Sequence, residues 1–348
     1  MSLATAIRTG DLASLPGRRD EDWRWTDLRG LIRVAPPASP EVSEVGANPA
    51  LAALREPVIV FANGRLIHDD GGSASEGMRL RRFVSATDGA AHALERPLEV
   101  PANGRLLLID SFEGQASNYV ADARFPIRVG EGASLERVVL LDDAADAVSV
   151  CLTEVDLAPG AHFRQTVLAS GAKRQRFETR VRHHGGGAEV RLDGVYLLAD
   201  RRHSDQTTIV EHLQPGGVTQ QLTKGMVQDQ ARGVFQGRIV VVEGADGTDA
   251  KMGHHALVLS DRAEVDAKPE LEIWADDVAC AHGNTVGALD EEALFYARSR
   301  GIPEEQARAL LIGAFLAEVA DRIEHIQARE LAHELEREGY DKYAAEAA

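Results

Sequence analysis

The chain is poor in cysteine and in aromatic residues, and it has no long apolar run. Of its 348 residues only Cys151 and Cys280 are cysteines. They lie far apart and match neither a disulfide framework nor a paired-cysteine zinc pattern, which points to a reducing compartment and makes the cytosol the expected location. No apolar stretch approaches the roughly 20 residues that a membrane helix needs. The start, MSLATAIRTGDLASLPGRRDEDW, lacks the apolar region of an export signal, so a soluble, unexported protein is expected. The usual catalytic signatures are missing too: there is no G-x-x-x-x-G-K-[ST] loop, no G-x-G-x-x-G, no H-E-x-x-H, no G-x-S-x-G and no C-x-x-C. Acidic residues outnumber lysine and arginine, 55 to 38. The formal net charge of -17 disfavours nucleic acid and anionic lipid as partners.

What is present is glycine, with valine, leucine and alanine dominating the apolar set, a mixture that suits many short strands joined by tight turns. Asn63-Gly64 in PVIVFANGRLIHDD stands between two apolar runs and predicts a hairpin. A helical stretch is expected near residues 86 to 95. From about residue 100 to 280, alternating segments break repeatedly at small-residue turns: IRVGEGASLERVVLL, VDLAPGAHFRQTVLA, VRHHGGGAEVRLDGVYLL and VEHLQPGGVTQQLTKG. The turn residues Gly132, Gly160, Gly187 and Gly216 are 28, 27 and 29 residues apart, and Gly244 continues the spacing. This period favours a mainly β fold of stacked coils, a parallel β-solenoid, over the competing β-sandwich. Three regions follow: 1-98, mixed and partly helical with the hairpin; 99-287, the β-helix core; and 288-348, a helical ending. In that ending Asp290 is placed to cap one helix, Gly301 to stop it and Pro303 to start the next. Ala307, Leu310, Leu311, Ala314, Phe315 and Val319 then recur at helical spacing as an apolar stripe. Near the start, Trp23 and Trp25 are expected to pack a short lid onto the body.

Three groups of residues are candidates for chemistry. His183-His184, His203, His212 and His254-His255 fall in the repeat region, where coils can bring metal ligands together; neighbours in a strand point to opposite faces, so hydrogen-bonded or solvent-facing histidines are the plainer reading. Asp276-Asp277 would be the acid and base of a carbohydrate-active enzyme, although adjacent carboxylates in a strand diverge. Cys280 and His282, at i and i+2, share one face of an extended segment and together can hold a soft or borderline metal. Two ligands do not complete an iron or zinc site. The remainder would come from elsewhere in the fold or from another subunit, and a buried cysteine beside a surface histidine is the competing reading.

The stretch KPELEIWADDVACAHGNTVGALDEEALFYARSRGI, residues 268 to 302, resembles the C-terminal signature of the SufD family, scaffold subunits of the Suf system for iron-sulfur cluster assembly. GRRDEDWRWTDL near the start, QTTIVEHLQPGG from Gln206, TKGMVQDQARGVFQGRIVV from Thr223 and ARALLIGAFLAEV from Ala307 support it, so the resemblance runs from residue 17 to residue 319. It implies a right-handed parallel β-helix with N-terminal and C-terminal helical regions. It also implies a non-catalytic scaffold that pairs with SufB through the β-helix and docks the ATPase SufC through the region from Ala288 to Tyr340. By the same resemblance, His282 and Cys280 would lie at a transient iron or cluster site shared with SufB. A SufB-like paralogue is the alternative within the family; the ADDVACAHG stretch favours SufD. These residues leave open whether such a complex holds a reduced flavin. An interface that pairs β-helices could also pair two copies of this chain when isolated.

Overall fold

The computed structural model describes residues 3–71 and 76–346, with side chains up to residue 340. The chain opens with α1 (Leu3–Thr9), two 3-10 turns (Leu12–Ser14 and Glu21–Trp23) and the single turn α2 (Pro49–Ala52). Nine strands carry it to the middle: β1 (Val58–Ala62), β2 (Arg65–Asp69), β3 (Glu76–Ser85), β4 (Ala91–Glu95), β5 (Leu98–Val100), β6 (Arg105–Gly114), β7 (Val120–Val129), β8 (Ser134–Asp142) and β9 (Val148–Leu157). Nine more follow: β10 (His162–Ala169), β11 (Arg174–His183), β12 (Glu189–Leu198), β13 (His203–His212), β14 (Val218–Val227), β15 (Arg232–Val241), β16 (Thr248–Val258), β17 (Glu264–Ile273) and β18 (Val278–Gly287). Three helices close it, α3 (Glu291–Ser299), α4 (Glu304–Ala320) and α5 (Ile326–Glu346). Among the described residues no helix is long and apolar enough to cross a membrane.

Successive long strands alternate between two sheets. One runs β18-β16-β14-β12-β10-β8-β6-β3-β1-β2, the other β17-β15-β13-β11-β9-β7-β4, with β5 also on β7. Among the described residues all pairings between these strands are parallel except β1 with β2, so the chain winds a parallel β-solenoid of about seven turns. The turn glycines explain the period. Gly132, Gly160, Gly187, Gly216 and Gly244 all have φ between 62° and 80°, a left-handed conformation that costs a residue with a Cβ. The hairpin forms at Asn63 (φ 49°) and Gly64 (φ 78°), as its sequence predicts.

The expected helix near residues 86 to 95 is instead β4, which pairs in parallel with β7 from Ala91↔Val120 to Glu95↔Arg124. Its Ala-Leu-Glu content favours helix locally, but the neighbouring rung supplies hydrogen-bond partners that override the preference. The parallel ladder also takes in β1 and β3, which precede residue 99.

Inward-facing side chains of both sheets interdigitate in one long core that includes Phe83, Leu108, Phe125, Leu135, Phe163, Phe177 and Val210. The outer face of the larger sheet is covered in turn: Leu107, Val138, Val195, Leu197 and Met226 pack on Ile312, Leu316, Val319 and Ile323 of the helical ending. Burial on both faces accounts for continuous apolar runs such as VVLL in β8. The stripe on α4 is rotated from the expected one. Ala307 and Val319 are buried, but Leu310 and Ala314 face solvent, and Ile312 and Leu316 take their places against the sheet.

On the other sheet the N-terminal segment lies as a strap. The carbonyl of Asp22 accepts from Arg176 Nη1 (2.7 Å) and Gln236 Nε2 (3.2 Å), Thr26 donates to Asp205, and Lys268 pairs with Glu21 at 2.8 Å. Trp23 lies beneath the Arg176 guanidinium, 4.2 Å from ring centroid to Cζ. The tryptophan does pack onto the body, as an aromatic partner to a buried ion-paired arginine.

Candidate site at the open end of the solenoid

Because side chains alternate along each strand, the parallel register stacks like positions into columns that run the length of the solenoid. One inward column reads Arg137, Gln165, Leu192, Gln221, Met252, His282; its neighbour reads Val190, Thr219, Ala250, Cys280. Cys280 and His282 are therefore the last members of two interior columns and share one face, as their spacing predicts. β18 pairs with β16 and β17 pairs with β15, and both are the ends of their sheets. Inward-facing residues of this last coil have no further coil over them among the described residues. Cys280 is half-buried against the group formed by Phe235, Ile239, Val241 and Met252, while His282 is exposed. Ile273, Trp274 (71% exposed) and Val286 place apolar surface on the same two strands and the link between them.

Burial pushes the Cys280 thiol above its ordinary pKa, a hydrogen bond with the Ala250 backbone acts against this, and Asp249 adds to the rise. At neutral pH the sulfur is a resting thiol, and a metal would have to displace its proton. Among the described residues no group of three or more histidine, cysteine, aspartate or glutamate side chains could hold a metal ion. Cys280 and His282 are the two soft or borderline donors at this rim.

The other candidates separate. His254 is buried, bonded to Tyr196 Oη at 2.9 Å and to Asn284 Oδ1 at 2.7 Å, and stacked on Phe235. His255 points the other way, to Thr285 at 2.7 Å. His183 is buried and stacks on His212 at 4.2 Å, whereas His184 faces out to Asp156 at 2.9 Å. His203 bonds the carbonyl of Trp25 at 3.1 Å. Burial lowers the buried ones, His183 to about 3 and His203, His212 and His254 to about 4, so they are neutral interior groups. Asp276 and Asp277 are exposed on the bend between β17 and β18.

Next to this coil, Asp290 Oδ1 accepts from Glu292 N (2.9 Å) and Ala293 N (3.1 Å) and starts α3, as predicted. α3 exposes Phe295 and Tyr296, and α4 exposes Leu310. Lys224 anchors α4 to the sheet: its Nζ donates to the Phe315 carbonyl at 2.8 Å, pairs with Glu318 and lies 4.4 Å from the Phe315 ring centroid.

With this architecture in place, residues 83–315 match the SufBD core domain of the SUF system for FeS cluster assembly. The chain is 30% identical to the iron-sulfur cluster assembly protein SufD of Escherichia coli strain K12, over 92% of this chain and 87% of that protein. It is 28% identical to an iron-sulfur cluster assembly SufBD family protein of Mycobacterium leprae, over 92% and 89% of the two chains. It is 37% identical to SufD of Bacillus subtilis strain 168 over 34% of this chain and 27% of that one. The chain belongs to the SufBD family of iron-sulfur cluster assembly proteins, and within it to the SufD family. The Escherichia coli and Bacillus subtilis relatives are both named as iron-sulfur cluster assembly proteins.

Proposed function

We propose that this chain is a non-catalytic scaffold subunit that pairs end to end with SufB through β17 and β18 and docks the SufC ATPase through the region from Ala288 to Tyr340. The observation that carries the reading is the open last coil, which offers unpaired strand edges, exposed apolar side chains and two metal-ligating groups in one place. An added strand would satisfy the edge. In this reading His282, with Cys280, contributes to a transient iron-sulfur cluster whose other ligands come from SufB, and the cluster is cargo. Phe295, Tyr296 and Leu310 are the apolar contacts offered to SufC. The working units are residues 1-98, 99-287 and 288-348. The compartment is the cytosol, in keeping with two free thiols. A reduced flavin would be a cofactor of the assembled complex, and an isolated chain would pair with its own copy through the same edge.

Co-expression with SufB and SufC tests this. One complex containing all three subunits is expected on size exclusion, with the isolated chain as a dimer. Within that complex His282→Ala should lower cluster loading several-fold without dissociating the subunits. A chain that elutes alone while SufB and SufC associate overturns the scaffold reading; unchanged loading in His282→Ala overturns the ligand role. Cys280→Ser separates ligation from packing: if loading survives it while the melting temperature falls, the sulfur serves the core.

A further inference from the structure

A groove lies between the N-terminal strap and the starts of β15 and β17, lined by Arg18, Arg24, Trp25, Arg232 and Asp266. That three arginines share one groove is unexpected in a chain of net charge -17. A fourth, Arg174 at the start of β11, immediately precedes Gln175, which pairs with Ser204, so it falls in line with His203 and Arg232 across the sheet; burial lowers its pKa and the Arg232 charge lowers it further. Its Nη1 donates to the Lys173 carbonyl at 2.7 Å, but its Nε is buried with no hydrogen-bond partner among the described residues.

The carboxylates paired into this cluster are Asp27 with Arg18 at 3.6 Å, and Glu264 (3.5 Å) and Asp266 (2.7 Å) with Arg232. Against these three stand four guanidinium groups, and Arg24 has the Trp25 ring beside it, 5.8 Å from Cζ to centroid. Gathering like charges costs free energy that an anion would recover, and guanidinium forks match phosphate oxygens two at a time. The groove is also preformed. His203 Nε2 holds the carbonyl of Trp25 at 3.1 Å, and Thr26 donates to the buried Asp205. Trp25, half-buried on the wall, offers a π-face to a planar ring.

We propose that this groove binds a phosphate ester carrying a planar aromatic ring, a nucleotide in chemical class. Its phosphates meet Arg18, Arg24 and Arg232, and its ring lies against Trp25. The site borders the last coil at Asp266 of β17 but uses neither Cys280 nor His282, and it stands or falls independently of the pairing proposed there.

Equilibrium dialysis of the full chain, with no ATPase partner present, against labelled ADP and against inorganic pyrophosphate tests the proposal. Saturable ADP binding is expected, with pyrophosphate about tenfold weaker for want of the ring. Arg24→Gln should weaken ADP about tenfold with unchanged melting temperature, and Trp25→Ala should bring ADP down to the pyrophosphate level. Arg24 is exposed and outside the core, so its substitution leaves folding intact. Three results overturn the proposal: no ADP binding at about 1 mM, equal affinity for ADP and pyrophosphate, or binding that both substitutions leave unchanged.

Discussion

The edge strand β2 at the N-terminal end of the solenoid reads RLIHD, whereas β18 at the C-terminal end reads VACAHGNTVG. β2 folds back antiparallel onto β1 and carries charge along its edge, with Arg65 near Glu41 and His68 bonded to Asp70. Beneath it Phe61, Phe83, Phe112 and Phe125 form an aromatic stack, and the Arg96 guanidinium lies 4.9 Å from the Phe61 ring centroid. β18 has no hairpin and no charged side chain except an ionisable histidine, and its inward face lies bare. Its companion β17 differs again, for it carries five charged residues and Pro269, which has no N–H to offer. Charge, proline and back-folding are the devices that keep a strand edge from pairing. β2 and β17 carry them and β18 does not, so in the proposed complex β18 would take the added strand while β17 contributes side-chain contacts.

The contrast extends to how each end bears the loss of a charge, and here the largest effect is expected. In the closed half Asp110 is buried and holds two buried arginines, with Arg81 Nη2 and Arg137 Nη2 each 2.6 Å from Oδ2. Burial acts to raise the Asp110 pKa, but Arg81 and Arg137 together outweigh it and hold the carboxyl below its ordinary value. Asp110→Ala strands both cations and should cost about 3–5 kcal/mol in urea unfolding. At the open end, Asp249 pairs with Lys251 at 3.0 Å in solvent, and Asp249→Ala should cost less than about 0.5 kcal/mol. Equal losses would mean that the ends do not differ in this way. The sign of the pH dependence follows from the lowered pKa: the stabilisation from Asp110 is complete above the unfolded carboxyl pKa and is lost as pH falls through the folded one.

A smaller effect separates the two edges directly. Val286 on β18 and Leu66 on β2 are similarly exposed, 46% and 49%. In the co-expressed complex Val286→Asp should weaken retention of the partner β-helix by at least about tenfold, because it buries a charge in the contact, while Leu66→Asp should leave it unchanged. At a dilution where the isolated chain is monomeric, neither should shift its unfolding by more than about 0.5 kcal/mol. If Leu66→Asp disrupts the complex as much, pairing is not confined to the open end.

Much of this was legible in the sequence because it rests on local necessity. A left-handed turn needs glycine, so Gly132, Gly160, Gly187 and Gly216 mark the coils; i and i+2 in a strand share a face, so Cys280 and His282 do; Asp290 caps because the next backbone amides are free. The rest depends on partners far away in the chain. Residues 91 to 95 form a strand because β7 lies alongside, α4 turns Leu310 outward because the curved sheet beneath selects Ile312 and Leu316, and Trp23 finds its arginine 153 positions later at Arg176. The arginine groove went unread for the same reason. Arg18, Arg24, Arg174 and Arg232 have no periodicity in sequence, and only the stacking of β11, β13 and β15 brings their starts together.

The two cysteines give the smallest test of the contrast. Cys151 is fully enclosed, and burial pushes its thiol up to about 12, with Arg137 acting against the rise and Asp110 adding to it. Cys280 is half-buried at the rim, and its thiol is raised for the same first reason. A thiol-specific disulfide reagent at about pH 8 should therefore titrate one thiol in the native, unpaired chain and two in denaturant. The native reaction should run severalfold slower than that of an unperturbed peptide thiol and speed up as pH rises, because only the thiolate attacks. Pairing at the open end should suppress it further, since a strand laid on β18 covers the sulfur, and dissociation should restore it. Reaction of Cys151 at a comparable rate would show that the closed half opens as readily as the rim, and the difference between the two ends would then be one of shape without a difference in local stability.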